Sequence, residues 1–124
     1  GFRDIVVDEN CADIYNSKTI NASKDAIFKL RIEQDKDLEI LKKIKGKMKI
    51  YATSLESGVD IDKVKNEDNF CIVFGNEANG INTEILNLAD SFIKIEMSGD
   101  IESINVAISA GIVFYEIAKI HLEN

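Results

Sequence analysis

The sequence predicts an α/β domain with a parallel β-sheet flanked by helices, and two observations carry that prediction. Short apolar runs rich in β-branched residues alternate along the chain with segments of helical spacing, which is the pattern of a parallel sheet. One run, Phe-Cys-Ile-Val-Phe at residues 70–74, is apolar on both faces, as expected of a central strand that is covered on two sides. The 124 residues are 45% hydrophobic, so we expect one domain, residues 1–124, with its own core.

The first half of the chain predicts two strands and a helix. Residues 5–7 (Ile-Val-Val) are typical of a buried strand, and residues 27–32 alternate like a half-buried one. Apolar residues then recur at helical spacing over residues 38–48, where Glu39 and Lys43 form an i,i+4 pair of opposite charge. This segment predicts a helix that follows the second strand.

The second half predicts three more strands and two helices. Residues 50–52, 70–74 and 92–95 are the expected strands. Asn82 is placed to cap a short helix that has Glu84 in its first turn. A long helix is expected from about Ser103 to about His121, and its many apolar residues predict that it is largely buried.

Charge and composition exclude several classes of protein. The net charge of −7 argues against nucleic-acid binding over the whole surface, because phosphate contacts need clustered Lys and Arg. The densest basic cluster is at residues 42–49. No apolar run approaches 18 residues, and the first residues lack the layout of a signal peptide. Cys11 and Cys71 are far apart and lack partners at metal-ligand spacing, so we expect buried free thiols in a cytoplasmic protein without a metal site.

The chemistry is expected at the carboxyl ends of the strands, where open α/β sheets bind their ligands. Three polar segments follow strands there: residues 53–54, 75–80 and 97–105. The second has glycine at both ends, so its backbone can turn sharply and approach a ligand closely. Glu77 lies in its middle and no lysine follows, which disfavours a bound polyanion. A neutral or cationic ligand fits better, although the bare glycine pattern is also typical of a purely structural turn.

The third segment runs from a strand end, through a polar loop, into the last helix. Ser103 is a natural N-cap, which contributes about 1 kcal/mol to such a helix. Asn105 is a mediocre helix former just inside an otherwise apolar helix. An unfavourable residue beside a predicted pocket favours a functional role, and exposure in the first turn is the alternative.

Taken together, these segments resemble the motifs of the SpoU (TrmH) family of SPOUT RNA methyltransferases. The second motif of the family resembles Val-Phe-Gly-Asn-Glu-Ala-Asn-Gly-Ile at residues 73–81. The third motif resembles Ile-Glu-Met at residues 95–97 followed by Ser-Ile-Asn-Val-Ala at residues 103–107. An Ala-Ser-x-Gly-Ala-x-Phe stretch of the family resembles residues 22–28. The three matches are in order, correctly spaced, and cover nearly the whole chain.

The resemblance implies a fold, a cofactor and an activity. The implied fold is a SPOUT-type parallel sheet whose C-terminal part is tucked through a loop as a trefoil knot, which general topology disfavours. The implied activity is methyl transfer from S-adenosylmethionine to a ribose 2′-hydroxyl of rRNA or tRNA by a homodimer. Motif matching assigns the cofactor contacts to Ala52, Thr53, Gly75, Glu77, Gly80, Ile95, Met97, Ser103 and Ile104. Ile95, Met97 and Ile104 offer apolar surface for an adenine.

The chain departs from the family at three places. Glu96 replaces the proline of Ile-Pro-Met, and Asp25 replaces the glycine of Ala-Ser-x-Gly. The first motif of the family, Asn-x-Gly-x-x-x-Arg after an N-terminal strand, does not occur in the 124 residues. We therefore expect a domain that is incomplete at its N-terminus.

The missing arginine weakens the implied catalysis, since the family assigns proton removal and phosphate contact largely to it. The remaining candidates for catalytic roles are Glu77, Asn105 and Ser103. Glu77 would orient the loop and substrate, and the Asn105 amide can both donate and accept hydrogen bonds. One alternative is a segment that binds S-adenosylmethionine or dimerises without turnover. A second is a flavodoxin-like domain that binds a phosphorylated ligand at residues 75–80.

Overall fold

A computed structural model of the protein describes residues 2–54, 57–66, 68–76, 79–95 and 105–123, with the backbone alone at 65–66 and 120–123. The order of elements is strand and helix in alternation. They are β1 (Asp4–Val7), α1 (Ser17–Ser23), β2 (Arg31–Gln34), α2 (Glu39–Ile44), β3 (Lys49–Ser54), β4 (Phe70–Val73), α3 (Thr83–Leu88), β5 (Ser91–Lys94) and α4 (Val106–Glu123), with short 3-10 helices at Ala26–Phe28 and Ile61–Asn66.

The described strands form two parallel sheets. β1 pairs with β2, with Asp4 opposite Arg31. In the other sheet the order is β4-β3-β5, with Ala52 opposite Val73 and Ser54 opposite Lys94. The predicted parallel α/β architecture is confirmed at this level. The chain also divides into two compact units, residues 1–43 and 44–124, so a single domain stays a prediction.

In the first unit, turns position the two strands. Phe28 N donates to Asp25 O and Lys29 N to Ala26 O, so a 3-10 helix occupies the start of the predicted strand at residues 27–32, and that prediction is wrong in its first half. β2 begins only at Arg31. The buried Asp35 carboxylate accepts hydrogen bonds from Ile40 N at 2.8 Å and Leu41 N at 3.2 Å, which satisfies free amides at the start of α2.

In the second unit, β3 is the central strand. Ile50, Tyr51 and Ala52 are buried, whereas all four residues of β4 are half-buried. The expectation that residues 70–74 form the central strand is therefore wrong for the described sheet, in which β4 lies at an edge. Tyr51 of β3 and Ile93 of β5 belong to the hydrophobic core. Its buried members are Tyr51, Val64, Ile93, Ile95, Val113 and Ile117.

The outer edge of β5 is covered by the chain that follows β3. Val59 N donates to Phe92 O at 2.8 Å, and Lys94 N donates to Val59 O at 3.0 Å. The approach requires Gly58, which has a φ of 153°. A Cβ there would be 2.7 Å from Phe92 O.

Helix α4 is less buried than its composition predicts. Ser109, Val113 and Ile117, spaced by one turn, are buried. On other faces Ile108 is 58% exposed and Tyr115 is 66% exposed. The prediction of a largely buried helix is wrong, because apolar residues on this helix do not all face the core. Among the described residues, no helix is long and apolar enough to span a membrane.

The cysteine prediction is confirmed in part. Cys11 and Cys71 are both free thiols. Cys11 is exposed, contrary to the expectation of burial, while Cys71 is half-buried. Burial raises the pKa of the Cys71 thiol, which favours its protonated form at neutral pH.

Candidate functional site

The carboxyl ends of β3, β4 and β5 lie side by side in the second unit. The Thr53 hydroxyl donates to Val73 O at 3.3 Å, which ties the end of β3 to the end of β4. Ile95 N donates to Ser54 O at 3.0 Å, which ties the end of β5 to the end of β3. These contacts gather the segments after three parallel strands at one edge, the position where such sheets bind ligands.

The segment after β4, residues 75–80, is called the glycine loop here, and hydrogen bonds join its described limbs, residues 75–76 and 79–80. Asn76 N donates to Gly80 O at 3.1 Å, and Gly80 N donates to Asn76 O at 2.8 Å. A Cβ on Gly75 would be 2.6 Å from the Gly80 carbonyl carbon and 2.8 Å from Ile81 N. Only glycine allows the two limbs of the loop to pack backbone against backbone there.

Gly80 has a different role. Its φ of 66° lies in the left-handed region, and a Cβ there would meet no atom within 4 Å. The position faces open space, so a ligand can approach the backbone of the loop without meeting a side chain. Neutral polar groups (Thr53, Ser54, Asn76) and the buried Ile95 belong to the same edge. This set fits a ligand with an apolar ring and polar edges, as an adenosine derivative has.

Asn105 is the N-cap of α4. Its side-chain oxygen accepts hydrogen bonds from Ala107 N at 2.8 Å and from Ile108 N at 3.3 Å. The helix begins at Val106, so the expectation that Asn105 lies just inside the helix is wrong. Capping explains an asparagine at this position, and its catalytic role stays a prediction.

An aromatic contact joins α4 to the strand that leads into the glycine loop. The rings of Phe74 and Phe114 have centroids 5.7 Å apart and planes at 80°, an edge-to-face arrangement. Phe74 directly precedes Gly75. Phe114 carried no recognisable signal in the sequence, because the apolar residues on α4 are too numerous to single one out.

The predicted contact residues divide into two groups. Ala52, Thr53, Gly75, Gly80 and Ile95 belong to the edge described above, with Ala52 buried inside β3. The other predicted residues, Glu77, Met97, Ser103 and Ile104, lie outside the described residues.

The amino ends of the same strands hold most of the basic cluster. An open depression of about 480 Å³ is lined by Lys47 and Lys49 but also by Asp68 and Asp90. Lys45 Nζ donates to Asp90 Oδ1 at 2.8 Å and to Leu88 O at 2.9 Å. The hydrogen bond from Lys45, followed by that from Ile50 N, lowers the pKa of the Asp90 carboxyl. Carboxylates therefore offset part of the positive charge at this end of the sheet.

Comparison with known proteins shows similarity to one family of RNA methyltransferases. The model of the SpoU rRNA methylase family matches residues 1–115. A 23S rRNA (guanosine(2553)-2'-O)-methyltransferase of Bacillus subtilis is 25% identical over 118 residues, which are 94% of this chain and 48% of that protein. A tRNA (guanosine(18)-2'-O)-methyltransferase of Escherichia coli is 39% identical over 75 residues, 59% of this chain and 33% of that protein.

A solved structure shares the fold at low identity. The SpoU methyltransferase AviRb of Streptomyces viridochromogenes, in complex with AdoMet, superposes with a TM-score of 0.86 at 21% identity, covering 98% of this chain and 51% of that one. The chain spans about half the length of the B. subtilis relative and about a third of the E. coli one.

Proposed function

The chain belongs to the SpoU rRNA methylase family, and from that premise we propose that it is the S-adenosylmethionine-binding part of an RNA methyltransferase. The acceptor in this proposal is a ribose 2′-hydroxyl of rRNA or tRNA, in line with the names of the B. subtilis and E. coli relatives. The single observation that carries it is the closed glycine loop at the shared carboxyl edge of β3, β4 and β5.

In this proposal the glycine loop and the ends of β3 and β5 hold the cofactor. The backbone at Gly75 and Gly80 lies along one side of the cofactor, and Ile95, a core residue that is 7% exposed, borders the adenine with its apolar side chain. When bound, S-adenosylmethionine supplies an electrophilic methyl group on a sulfonium centre. Glu77 is the one ionisable group of the loop, and its carboxylate suits a cationic ligand. Further contacts come from Ala52, Thr53, Met97, Ser103 and Ile104.

Transfer to a ribose also requires the hydroxyl to be held in line with the donor and a route for its proton. In the described region, no group of three His, Cys, Asp or Glu is arranged to hold a metal ion. Glu77 would orient the loop and substrate, with Ser103 and Asn105 as further candidates. Because the 124 residues contain no Asn-x-Gly-x-x-x-Arg stretch, we propose that they bind S-adenosylmethionine without catalysing transfer.

Calorimetric titration tests the proposal. We expect the protein to bind S-adenosylmethionine at one site per chain and to bind FMN or ATP far more weakly. Nucleotide binding without S-adenosylmethionine binding would favour a flavodoxin-like domain and overturn the proposal. Incubation with labelled cofactor and RNA tests the second part, because methylation by the 124-residue protein alone would refute binding without transfer.

The sheet edges support the proposal that the domain is incomplete at its N-terminus. Ile5 is 38% exposed and Val6 is 47% exposed on β1. The apolar residues Cys71, Ile72 and Val73 of β4 are only half-buried. Apolar strands of parallel sheets are normally covered on both faces, so each sheet, taken by itself, leaves apolar side chains that a further element would bury. The trefoil knot also stays a proposal, since it depends on residues 96–104, outside the described part of the chain.

Exposed residues of α4 support the proposal of a homodimer. Ile108, Ile112 and Tyr115 are spaced at i, i+4 and i+7 and are 58%, 41% and 66% exposed. They form one apolar stripe, the outer stripe of α4, opposite the buried face at Val113. A self-complementary contact along this stripe would remove it from water.

A further inference from the structure

The Phe74–Phe114 ring pair connects the C-terminal helix to the glycine loop. Phe74 lies within the second motif, whereas Phe114 lies outside the three motifs matched above. We propose that Phe114 is a positioning residue, which holds the glycine loop in its ligand-binding shape through Phe74 without touching the ligand. The identity of the ligand rests on the proposed function, whereas the coupling between Phe114 and the glycine loop does not.

One side of the contact is fixed by the core. Val113 is fully buried and Ile117 is 3% exposed, and both belong to the core that includes Tyr51 and Ile93. Phe114 follows Val113 and lies about 100° further round the helix. Its side chain is therefore on the flank of α4, 39% exposed, and is not one of the buried core residues. A helix held by its buried face gives the ring of Phe114 a fixed position.

The other side of the contact is the entrance to the loop. Phe74 joins the end of β4 to Gly75. Gly75 has no side chain, and Gly80 faces open space. Two hydrogen bonds between the backbones of Asn76 and Gly80 join the described limbs of the loop. Phe74, which also packs against the core, therefore provides a side-chain anchor on the β4 side of the loop, and Phe114 contacts its ring.

The size of the effect follows from the strength of ring pairs. Edge-to-face pairs add a modest stabilisation beyond the area they bury. This stabilisation favours the binding shape of the loop, so removal of the Phe114 ring should lower ligand affinity about two- to tenfold. Because Phe114 is partly exposed, replacing it leaves most of the core intact.

The test uses Phe114→Leu, which removes the ring and keeps an apolar side chain. Phe114→Tyr keeps the ring and should restore wild-type behaviour. Phe92→Leu is the matched control, since Phe92 is an aromatic residue of similar exposure (36%) on β5. Hydrogen exchange in the ligand-free protein is measured at the amides of Asn76 and Gly80, with the amide of Asp90, which donates to Ile50 O at the other end of the sheet, as the internal reference.

We expect faster exchange at Asn76 and Gly80 in Phe114→Leu, unchanged exchange at Asp90, and S-adenosylmethionine binding about two- to tenfold weaker. Phe114→Tyr and Phe92→Leu should match the wild type in all three. Equal acceleration at all three amides, or no change in the loop, would overturn the inference. Faster exchange confined to the loop in a protein that binds no S-adenosylmethionine would support the coupling and refute the proposed function.

Discussion

At the residue scale, glycines shape the second unit in ways that differ from one position to the next. Gly46 has a φ of 83° and open space around it, so its role is to end α2 in a left-handed conformation. Gly75 has no such φ, but its Cα lies against the backbone of Gly80 and Ile81. Gly46 is required for its left-handed backbone conformation, and Gly75 is required because no room is left for a Cβ. Substitutions at the two positions should therefore have different consequences.

We predict that Gly75→Ala abolishes ligand binding or weakens it at least tenfold. The new Cβ would be 2.6 Å from the Gly80 carbonyl carbon, so the loop must open. Such overpacking costs about 1–3 kcal/mol. Gly46→Ala is the control, because a left-handed alanine costs a similar ~1–2 kcal/mol at the opposite end of the sheet. Calorimetry and thermal unfolding of both variants check the prediction, and equal affinities would contradict it.

Sequence patterns identified some of these residues and missed the reason for others. The cap at Asn82 is confirmed, since its side chain accepts a hydrogen bond from Glu84 N. Asn105 proved to be a cap as well, because residue type alone does not fix where a helix starts. Asp25, which replaces a family glycine, has an ordinary φ of −90°, while Lys24 takes the positive φ of 52°. That departure therefore creates no strain at Asp25 itself.

At the element scale, the amino ends of β3 and β5 are joined through Asp90. Its Oδ2 accepts from Ile50 N at 2.8 Å and its own N–H donates to Ile50 O at 2.8 Å. Lys45 adds an ion pair from the segment between α2 and β3. One partly exposed carboxylate thus connects a helix end and two strands.

We predict that this contact makes stability sensitive to acid. The lowered pKa of Asp90 means that its ionised form is favoured by folding, so its contribution is present above the ordinary carboxyl pKa of 3.8. The contribution is lost as the pH falls below that value and through the folded pKa. Urea unfolding across this range should show a smaller loss of stability on acidification in Asp90→Asn than in the wild type.

Asp62→Asn, at an exposed carboxylate of the 3-10 helix Ile61–Asn66, serves as the control and should keep the wild-type dependence on pH. A wild-type slope in Asp90→Asn would show that the contact contributes nothing.

Elements with a strong local pattern were predictable, and those set by distant contacts were not. The strand at residues 5–7 is confirmed within β1, and that at 50–52 within β3. The expected burial of residues 5–7 is wrong, because Ile5 and Val6 of β1 are exposed. Helix α1 was missed, since its sequence (Ser-Lys-Thr-Ile-Asn-Ala-Ser) has too few apolar residues to show a period. The place of β4 at a sheet edge depends on its neighbours, which no local pattern encodes.

At the scale of the whole molecule, we predict that the outer stripe of α4 mediates dimerisation. Ile112→Glu places a charge in the middle of the stripe, and desolvating that charge should oppose association. Light scattering should report a dimer for the wild type and a monomer for this variant. Thr83→Glu introduces the same charge on the exposed face of α3 and should leave the dimer intact. A monomeric wild type, or a dimeric Ile112→Glu variant, would refute the prediction.

The alternation of strands and helices predicted the class of the fold, but it did not predict the order in which the strands pair. Parallel strands pair across long stretches of chain, as β3 does with both β4 and β5. Residues 50–52 would form a buried strand in any of several strand orders, so their side chains do not determine which strands lie beside them. The sequence therefore predicted that the strands pair in parallel, but it did not predict that the described strands form two separate sheets.

The segment around Val59 has a consequence for solubility. An exposed edge strand offers unpaired backbone groups on which a second chain can build. In β5 that edge is paired within the molecule, because Val59 N donates to Phe92 O and Val59 O accepts from Lys94 N. Gly58 makes this possible by lying too close to β5 for any side chain. A single glycine thereby protects a hydrophobic strand from edge-to-edge aggregation.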